Sequence, residues 1–268
     1  MDGEVVRKPS LLVRVGCDIA VADPAADFVG RGAAKLSAAL ADFPVDPHAR
    51  TAVDLGASTG GFTQVLLRAG ASRVFAVDVG HGQLAPEVAT DPRVVDMSGV
   101  HVRDLSVLAQ IPPCDVVVAD LSFISLTAAF PALHVLLTPT GDAVLLIKPQ
   151  FEAGRAALDG RGVVTDDEVR VGAVTHVLQA AQAHGFAVHG LAPCAVTGEY
   201  GNRETFAWLR RDSGRAGLPL PACEQAVRQD GVVLAQPQPP AVAVAPASTP
   251  AVATAPASRT EPTSGIRP

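Results

Sequence analysis

Short apolar runs and amphipathic segments alternate along most of this chain. The apolar runs have the length and the β-branched content of strands, and they lie at 51–53, 73–77, 93–97, 116–121, 143–148, 186–192 and 203–210. Segments with a helical period precede or separate them, at 33–40, 61–69, 82–89, 122–137 and 166–184. Alternating strands and helices are typical of a doubly wound α/β fold. The pattern therefore predicts a mostly parallel, seven-stranded sheet with helices on both faces.

The hydrophobic pattern also divides the chain into unequal parts. Residues 1–22 contain short strand-like runs that are too few to enclose a core, and residues 23–50 form a linker and the first helix. The main α/β domain is predicted at 51–212, and a C-terminal segment follows at 213–234. Proline, alanine and uncharged polar residues predominate over 235–268, which predicts a disordered tail.

A glycine-rich stretch follows the first strand of the main domain, with the sequence Asp-Leu-Gly-Ala-Ser-Thr-Gly-Gly-Phe-Thr at 54–63. A strand, a glycine-rich turn and a helix in this order direct free N–H groups and the positive end of the helix dipole at a ligand. The next strand ends in Asp78, a position from which a carboxylate holds ribose hydroxyls. The candidate cofactor-binding residues are Asp54, Gly56, Ser58, Thr59, Gly60, Gly61, Phe62, Asp78 and Asp120.

The spacing of these glycines discriminates between nucleotide-binding motifs. It is not a clean Gly-x-Gly-x-x-Gly, and the chain has no phosphate-binding Gly-x-x-x-x-Gly-Lys-Ser/Thr motif. A turn that opens with the acid Asp54 suits S-adenosylmethionine, which carries an amino group and a sulfonium but no phosphate. The stretch therefore favours S-adenosylmethionine, while a nicotinamide dehydrogenase remains an alternative.

Composition narrows the class of protein. Of the 268 residues 48% are apolar, yet no apolar run approaches the roughly 20 residues that span a membrane. The formal net charge of −6 argues against a broadly basic surface for nucleic acid, although a local basic groove stays compatible with it. The four cysteines are scattered, without the spacing of a metal site or a disulfide framework. We therefore expect a cytoplasmic protein with no metal and no membrane partner.

Lysine is rare in this chain. Three of its 21 basic residues are lysines, namely Lys8, Lys35 and Lys148, and the others are arginines. A lysine can lose its proton when it is desolvated or lies near other positive charges, whereas an arginine cannot. The retained lysines are therefore candidates for chemistry that arginine cannot perform.

Polar residues also mark the ends of the predicted strands, where ligands bind in such folds. Asp120 ends the fourth strand, Lys148 ends the fifth, and Glu204 begins a late strand. Methyltransferases that act on base amines commonly carry a proline-rich, aromatic-ended tetrad after the fourth strand, but residues 120–123 are Asp-Leu-Ser-Phe. An acid beside a lysine suits a hydroxyl nucleophile instead, because a neutral lysine can accept the hydroxyl proton.

Six stretches together resemble the TlyA family of ribosomal RNA 2′-O-methyltransferases, also known as hemolysin A and related to the FtsJ-like enzymes. The stretches are 31–36, 54–63, 78–84, 120–126, 148–152 and 201–204. The resemblance implies a Rossmann-like class I S-adenosylmethionine-dependent methyltransferase. It implies methylation of cytidine ribose, with ribosomal RNA or ribosomal subunits as partners. It also implies a catalytic tetrad of Lys35, Asp120, Lys148 and Glu204, in which Lys148 is closest to a general base.

The chain departs from the family pattern at three places. Residues 1–22 match only the last strands of the small N-terminal RNA-binding domain that the family carries. After the third strand the chain has His-Val-Arg at 101–103, where the family tends to have an Asn-Ala-Arg-like stretch, and Asp96 is a further candidate for the adenine side. The loop after Gln150 carries Arg155, where the family commonly has lysine.

Four arginines, Arg31, Arg155, Arg161 and Arg203, are candidates for a phosphate-binding rim around the site. Three classes of function remain open at this point. The first is an RNA ribose methyltransferase, the second is a cofactor-binding module without RNA methylation activity, and the third is a membrane-active hemolysin. The lysines of the tetrad favour the first, and the sequence has no basic amphipathic helix that would favour the third.

Overall fold

The computed structural model of the protein describes residues 16–17, 28–211 and 217–235. The strands predicted before residue 23 and the tail predicted from 235 onward lie almost entirely outside these residues. Within the described part of the chain, one sheet contains the strands Thr51–Leu55 (β1), Arg73–Asp78 (β2), Val94–Ser98 (β3), Cys114–Ala119 (β4), Leu137–Ile147 (β5), Phe186–Pro193 (β6), Thr205–Arg211 (β7) and Val233–Leu234 (β8).

Eight α-helices accompany this sheet in the described residues. They are Gly32–Asp42 (α1), Gly61–Arg68 (α2), Pro86–Ala89 (α3), Leu105–Leu108 (α4), Phe130–Leu136 (α5), Pro149–Glu152 (α6), Asp167–Ala183 (α7) and Leu220–Gln229 (α8). None of the described helices is both long enough and apolar enough to cross a membrane. The longest, α7, begins at an N-cap, because the Asp166 carboxylate accepts the N–H groups of Glu168 and Val169.

The strand order across the sheet is β3-β2-β1-β4-β5-β7-β6-β8. Strands β1 to β5 pair in parallel, and β7 pairs antiparallel with both β5 and β6. The order reverses between β1 and β4, and ligands of doubly wound sheets bind at such a switch point, beyond the carboxyl ends of the strands. The doubly wound fold is therefore confirmed, and it directs attention to the loops after β1, β2, β4 and β5.

The predicted number of strands was wrong by one. The short strand β8 adds to the edge of the sheet, where Val233 pairs with Leu191 and Leu234 pairs with Gly190. Two residues are too few to show the period of a strand in the sequence, so only the pairing with β6 defines this element.

Two hydrophobic clusters cover the two faces of the sheet. Val116 and Val118 of β4 belong to the cluster under α1 and α2, whereas Val117 and Ala119 belong to the cluster under α5 and α7. All four side chains are fully buried. Successive residues of a strand face opposite sides, so a run of uninterrupted apolar residues indicates a strand that is covered on both faces.

Two predicted elements have different bounds in the structure. The helix predicted over 82–89 is only the single turn α3, because Gly82 has a φ of 62° and Pro86 lies in the first turn, where proline is favoured. Strand β5 begins at Leu137 instead of residue 143, with an irregularity in its pairing to β4. Because α3 is only a single turn, the stretch after β2 can form a loop at the ligand edge of the sheet.

The helix predicted over 122–137 also begins late. Phe123 has a φ of 64°, which a helix cannot accommodate. The Ser125 side chain then caps a 3₁₀ turn at Leu126–Ala129, and only after that turn does α5 begin. As a result the residues that follow Asp120 form a loop that projects beyond the end of β4.

Candidate active site

The glycine-rich turn between β1 and α2 is held against its neighbouring strands by backbone hydrogen bonds. The N–H groups of Gly56 and Ala57 donate to the carbonyl of Val77 at 2.8 and 3.1 Å. Gly56 has a φ of 84°, and a Cβ atom there would lie 2.6 Å from the carbonyl oxygen of Asp120. Glycine is therefore required at this position both for its backbone conformation and for the close approach of the β4 loop.

The segment before α1 packs directly on this turn. A Cβ atom on Gly30 would lie 2.7 Å from Oγ1 of Thr59, and one on Gly61 would lie 3.0 Å from the nitrogen of Ala33. The Gln64 side chain accepts the N–H of Val29 at 2.9 Å. These contacts bring the first turn of α1, and with it Lys35, to the ligand edge of the sheet.

A cavity of about 460 Å³, here called the lysine cavity, lies between α1, the glycine-rich turn and the loops after β4, β5 and β6. Its wall contains all four residues of the predicted tetrad. The lining residues used below are Arg31, Lys35, Gly56, Ser58, Thr59, Gly61, Phe62, Asp120, Ser122, Phe123, Lys148, Gln150, Phe151 and Glu204.

One side of the lysine cavity carries a buried ion pair between Lys35 and Glu204. The Lys35 Nζ atom lies 2.5 Å from Oε2 of Glu204, and the amide nitrogen of Gln150 donates to Oε1 at 3.2 Å. A Cβ atom on Gly198 would lie 2.4 Å from the same Oε1 atom, so the absence of a side chain there makes room for the carboxylate. Lys35 and Glu204 are both buried, at 9% and 4% exposure.

The other side of the lysine cavity carries the second ion pair, between Lys148 and Asp120. The Lys148 Nζ atom lies 2.5 Å from Oδ1 of Asp120 and donates to Oγ of Ser122 at 2.9 Å. Oδ1 of Asp120 has no well-aligned hydrogen bond in spite of this short approach, so the contact is primarily electrostatic. The Lys148 side chain is only 10% exposed, which holds its amine in a poorly solvated position.

A second cavity of about 870 Å³, here called the Asp78 cavity, shares Gly56, Ser58, Asp120, Ser122 and Phe123 with the lysine cavity. Its wall combines aliphatic side chains with a few polar groups, and it includes Asp78, Val79, Gln83, Val100, His101, Val102, Arg103, Leu121 and Ile124. The Asp78 carboxylate accepts the N–H groups of Ser58 and Gly80 at 2.9 and 2.8 Å. An apolar slot with one fixed carboxylate suits a nucleoside.

Asp54 lies behind the turn, fully buried at the end of β1. Its Oδ2 atom accepts the Thr63 hydroxyl at 2.7 Å, whereas Oδ1 has no hydrogen-bond partner among the described residues. Burial raises the pKa of this carboxyl to about 7; the Thr63 hydrogen bonds lower it, and the nearby carboxylates of Asp120 and Asp78 raise it. A positive group in front of the turn would favour the ionised form of Asp54.

Residues 28–211 match the family model of the FtsJ-like methyltransferases. This chain belongs to the FtsJ-like methyltransferase family. The match spans every predicted site residue from Lys35 to Glu204. The predicted resemblance and the predicted methyltransferase fold are thereby confirmed.

Three proteins illustrate the similarity. The 16S/23S rRNA (cytidine-2′-O)-methyltransferase TlyA of Mycobacterium tuberculosis is 42% identical over 230 residues, which cover 85% of this chain and 85% of that protein. Hemolysin A of Brachyspira hyodysenteriae is 36% identical over 183 residues, 67% of this chain and 75% of that protein. The crystal structure of a hemolysin-named protein from Lactococcus lactis has a TM-score of 0.68 at 38% identity, and covers 74% of this chain and 97% of that one.

The structure of this FtsJ-like methyltransferase brings the predicted cofactor residues together, with two exceptions. Gly56, Ser58, Thr59, Gly61, Phe62, Asp78 and Asp120 line one or both cavities. Asp54 and Gly60 line neither: Asp54 supports the turn from behind, and Gly60, with a φ of 94°, packs against Val88. Both residues therefore affect the ligand edge indirectly, because they hold the glycine-rich turn in position.

Asp96 is not among the residues that line either cavity, and its place on the adenine side stays a prediction. Its carboxylate is exposed and accepts the N–H of Ser98 at 2.9 Å. In the register of β2 and β3, Asp96 lies opposite Ala76, two residues before the strand end that Asp78 occupies. Residues 100–103 of the following loop lie in the cavity wall instead.

The predicted arginine rim forms only in part. Arg31 lines the lysine cavity, but Arg203 forms ion pairs with Asp167 and Asp230 and is thereby directed away from it. Arg161 pairs with Asp159 in its own loop, and Arg155 is exposed and lines neither cavity. Sequence spacing carries no information on the acidic partners of Arg203, which come from distant segments.

Three side chains of the lysine cavity were missed by the sequence reasoning. Ser122 and Gln150 each follow a tetrad residue by two positions and contact a tetrad side chain. Phe123 is 93% exposed, and its ring centroid lies 5.3 Å from that of Phe151 at the rim of the cavity. All of them belong to the motifs after β4 and β5, so the motif positions were the available signal.

In the described residues no three histidine, cysteine, aspartate or glutamate side chains are grouped so as to hold a metal ion. The four cysteines include two buried thiols, Cys114 and Cys223, whose pKa burial raises to about 11. Neither thiol lines the lysine cavity or the Asp78 cavity. The charged side chains that line the lysine cavity are Arg31, Lys35, Asp120, Lys148 and Glu204.

Proposed function

We propose that this protein transfers a methyl group from S-adenosylmethionine to a ribose 2′-hydroxyl of ribosomal RNA, with cytidine as the target nucleoside. The observation that carries this proposal is the pair of lysine–carboxylate contacts in one cavity that adjoins the glycine-rich turn. The names of the relatives agree with it, since TlyA of Mycobacterium tuberculosis is an rRNA (cytidine-2′-O)-methyltransferase.

The residues around the turn fit S-adenosylmethionine. The unpartnered Oδ1 atom of Asp54 and the cluster of Asp54, Asp78 and Asp120 favour a positively charged ligand. Gly56 allows the Asp120 carbonyl to approach the turn at a position that a Cβ atom would block. We infer that Asp78 holds the ribose hydroxyls in the Asp78 cavity, while the turn faces the methionine portion near Asp120. When bound, S-adenosylmethionine supplies an electrophilic methyl group.

Lys148 is the proposed general base. A ribose hydroxyl is a weak nucleophile until its proton is accepted. Lys148, which forms an ion pair with Asp120 in the structure, first releases its own proton to solvent, and its amine then accepts that of the hydroxyl. As the oxygen–methyl bond forms and the sulfur–methyl bond breaks, the hydroxyl proton moves to Lys148. Asp120, 2.5 Å away, then stabilises the resulting ammonium group.

Lys35 and Glu204 are proposed to orient the ribose rather than to transfer the proton. Glu204 uses one oxygen for Lys35 and the other for Gln150, so it holds Lys35 as a fixed positive group at the cavity wall. Arg31 at the mouth is suited to a phosphate of the RNA backbone. The exposed ring of Phe123 is suited to stacking on a base.

The proposed substrate also locates the protein and assigns roles outside the described residues. Ribosomal RNA is methylated where ribosomes are assembled, so we infer that the protein acts in the cytoplasm. Residues 1–22, which resemble the end of a small RNA-binding domain, are proposed to assist docking of the RNA. Residues 51–212 are proposed as the methyltransferase domain.

The experiment that tests this function is methyl transfer from tritiated S-adenosylmethionine to purified ribosomal subunits and to free ribosomal RNA. We expect label at a ribose 2′-oxygen with the wild type, and a loss of about 100-fold or more in Lys148→Ala, because a general base contributes about 10²- to 10⁴-fold. Arg73→Ala, a surface cation at the opposite end of β2, is the matched control. Binding of S-adenosylmethionine without transfer to any of these RNAs would favour a binding module instead.

A further inference from the structure

We propose that Gln150 is a positioning residue that holds the carboxylate of Glu204 in place for Lys35. The inference rests on the proposed methyltransferase function and adds a polar side chain that the tetrad does not include. Gln150 lies in α6, in the same loop as Lys148, and lines the lysine cavity.

The direction of the Gln150 amide follows from its partner. Oε1 of Glu204 accepts a hydrogen bond at 3.2 Å from the amide of Gln150, while Oε2 lies 2.5 Å from Lys35 Nζ. An ionised carboxylate only accepts hydrogen bonds, so the amide nitrogen, and not the oxygen, must face Glu204. Both carboxylate oxygens are thus engaged by donors from different elements, and the carboxylate has a single defined orientation.

This orientation leaves the Gln150 amide oxygen buried and without a hydrogen-bond partner among the described residues. A buried acceptor without a partner destabilises a fold, and such groups are rare unless a site requires them. The amide nitrogen therefore faces Glu204, which needs a hydrogen-bond donor, and the amide oxygen is left without a partner. This is the pattern expected of a side chain whose role lies in the site.

The position of Gln150 links two parts of the cavity that the ion pairs leave separate. Lys148, two residues earlier, contacts Asp120 and Ser122, whereas Glu204 precedes β7, whose first residue pairs with the end of β5. The amide bridges these two loops. By donating to Oε1 of Glu204 it fixes the orientation in which Oε2 meets Lys35.

Two substitutions separate this role from simple packing. In Gln150→Leu the donor is lost, and we expect kcat to fall by about 10- to 100-fold, the equivalent of one hydrogen bond to a charged group, with an unchanged KM for S-adenosylmethionine. In Gln150→Glu a second carboxylate faces Glu204, and two adjacent carboxylates share a proton. We therefore expect Gln150→Glu to regain activity relative to the wild type as the pH falls, because protonated Glu donates where Gln did.

Several charged or titratable groups line the lysine cavity around Gln150 or act on Lys35 and Glu204. They come from all the elements that surround Gln150. They are Arg31 and Lys35 at α1, Asp120 after β4, Lys148 after β5, Cys194 after β6 and Glu204 before β7. All of them are present in each variant. A change in the pH profile between the wild type and Gln150→Glu is therefore assigned to the new carboxylate and its partner Glu204.

A spectroscopic readout makes the test independent of methyl transfer. The chain has only three lysines, so ¹³C- and ¹⁵N-labelled lysine yields three side-chain amine signals, which Lys8→Arg, Lys35→Arg and Lys148→Arg assign. We expect the Lys35 signal to move in Gln150→Leu while the Lys148 signal stays in place. Gln179→Leu, a substitution on the exposed face of α7, is the matched control and should move neither.

The outcomes discriminate between the two proposals. An unmoved Lys35 signal in Gln150→Leu, or a Gln150→Glu pH profile parallel to that of the wild type, would overturn the role of Gln150. Absence of methyl transfer by the wild type would overturn the proposed function, and the lysine spectra would still decide whether Gln150 positions the Lys35–Glu204 pair.

Discussion

The Asp78 cavity and the lysine cavity adjoin each other but are built in different ways. The Asp78 cavity is shaped by backbone: Gly56 allows the close approach of the Asp120 carbonyl, and the Asp78 carboxylate is fixed by the N–H groups of Ser58 and Gly80. The lysine cavity is shaped by side chains from separate elements, paired as Lys35 with Glu204 and Lys148 with Asp120. Backbone changes should therefore affect cofactor binding, whereas changes to side-chain partners should affect turnover.

The largest effect is expected where backbone defines the site, in Gly56→Ala. A Cβ atom would approach the Asp120 carbonyl to 2.6 Å at a φ of 84°. Strain and displacement of the β4 loop should weaken S-adenosylmethionine binding by about 100-fold or more, since left-handed backbone alone costs about 1–3 kcal/mol. Calorimetry measures the affinity, and Gly160→Ala, with no atom within 4 Å of its Cβ, is the control. Equal affinities in both variants would contradict the backbone argument.

The second prediction concerns Asp54, the buried acid behind the glycine-rich turn. Its pKa is about 7 in the folded protein against 3.8 for an ordinary aspartate. Between pH 4 and 7 the unfolded chain therefore releases this proton first, so the free energy of unfolding falls as the pH rises, by at most about 1.4 kcal/mol per pH unit. Above pH 7 this contribution is constant.

In Asp54→Asn this pH-dependent contribution should disappear. Urea unfolding of the wild type and the variant from pH 4 to 8 measures it, and the slopes of the two curves of unfolding free energy against pH should differ only in the window from about pH 4 to 7. Parallel curves over the whole range would show that the Asp54 carboxyl titrates like an ordinary surface acid.

A smaller effect is expected in the lysine cavity from Gly198→Ala. The backbone there is ordinary, with a φ of −62°, but a Cβ atom would lie 2.4 Å from Oε1 of Glu204. Displacement of the Glu204 carboxylate, which orients Lys35, should lower kcat by about 10-fold and leave S-adenosylmethionine affinity intact. Single-turnover rates together with calorimetry test this separation, and a parallel loss of affinity would mean that the two cavities are not independent.

The smallest effect is expected at the rim, from Phe123→Ala. The ring is 93% exposed and contributes little to the core, so thermal stability should be unchanged. Loss of a stacking surface should weaken RNA binding by about fivefold or more, because base stacking contributes about 1–3 kcal/mol. Filter binding to ribosomal RNA measures this, with Phe123→Tyr as the variant that should retain affinity. An unaltered affinity in Phe123→Ala would exclude the ring from the RNA surface.

Much of the fold was predictable from the sequence because hydrophobic periodicity and helix-capping residues are local features of the chain. The run from Val116 to Ala119 is apolar throughout and lies in the centre of the sheet, and Asp166 caps α7. The strand β8 and the late start of α5 were not predictable in this way. The first depends on pairing with β6, and the second on the left-handed backbone at Phe123.

The site residues show the same difference between features that are local in the sequence and features that depend on packing. The glycine-rich turn and Asp78 lie within 25 residues of each other, and their order along the chain already specifies a strand, a turn and a second strand end. The motif positions also identified Lys35, Asp120, Lys148 and Glu204 as a set, and their catalytic roles stay predictions. The ends of the fourth and fifth strands already predicted that Asp120 and Lys148 are neighbours, as the structure shows, whereas the pairing of Lys35 with Glu204 was not contained in the motifs.

That pairing depends on distances between residues that are far apart in the chain. Lys35 and Glu204 are 169 residues apart and meet only because α1 packs on the turn while β7 inserts beside β5. Likewise, the ion pairs with Asp167 and Asp230 that direct Arg203 away from the cavity join distant segments. Local order along the chain specifies elements and backbone turns, whereas charge partners are selected by the packing of whole elements, which brings some candidates together and separates others.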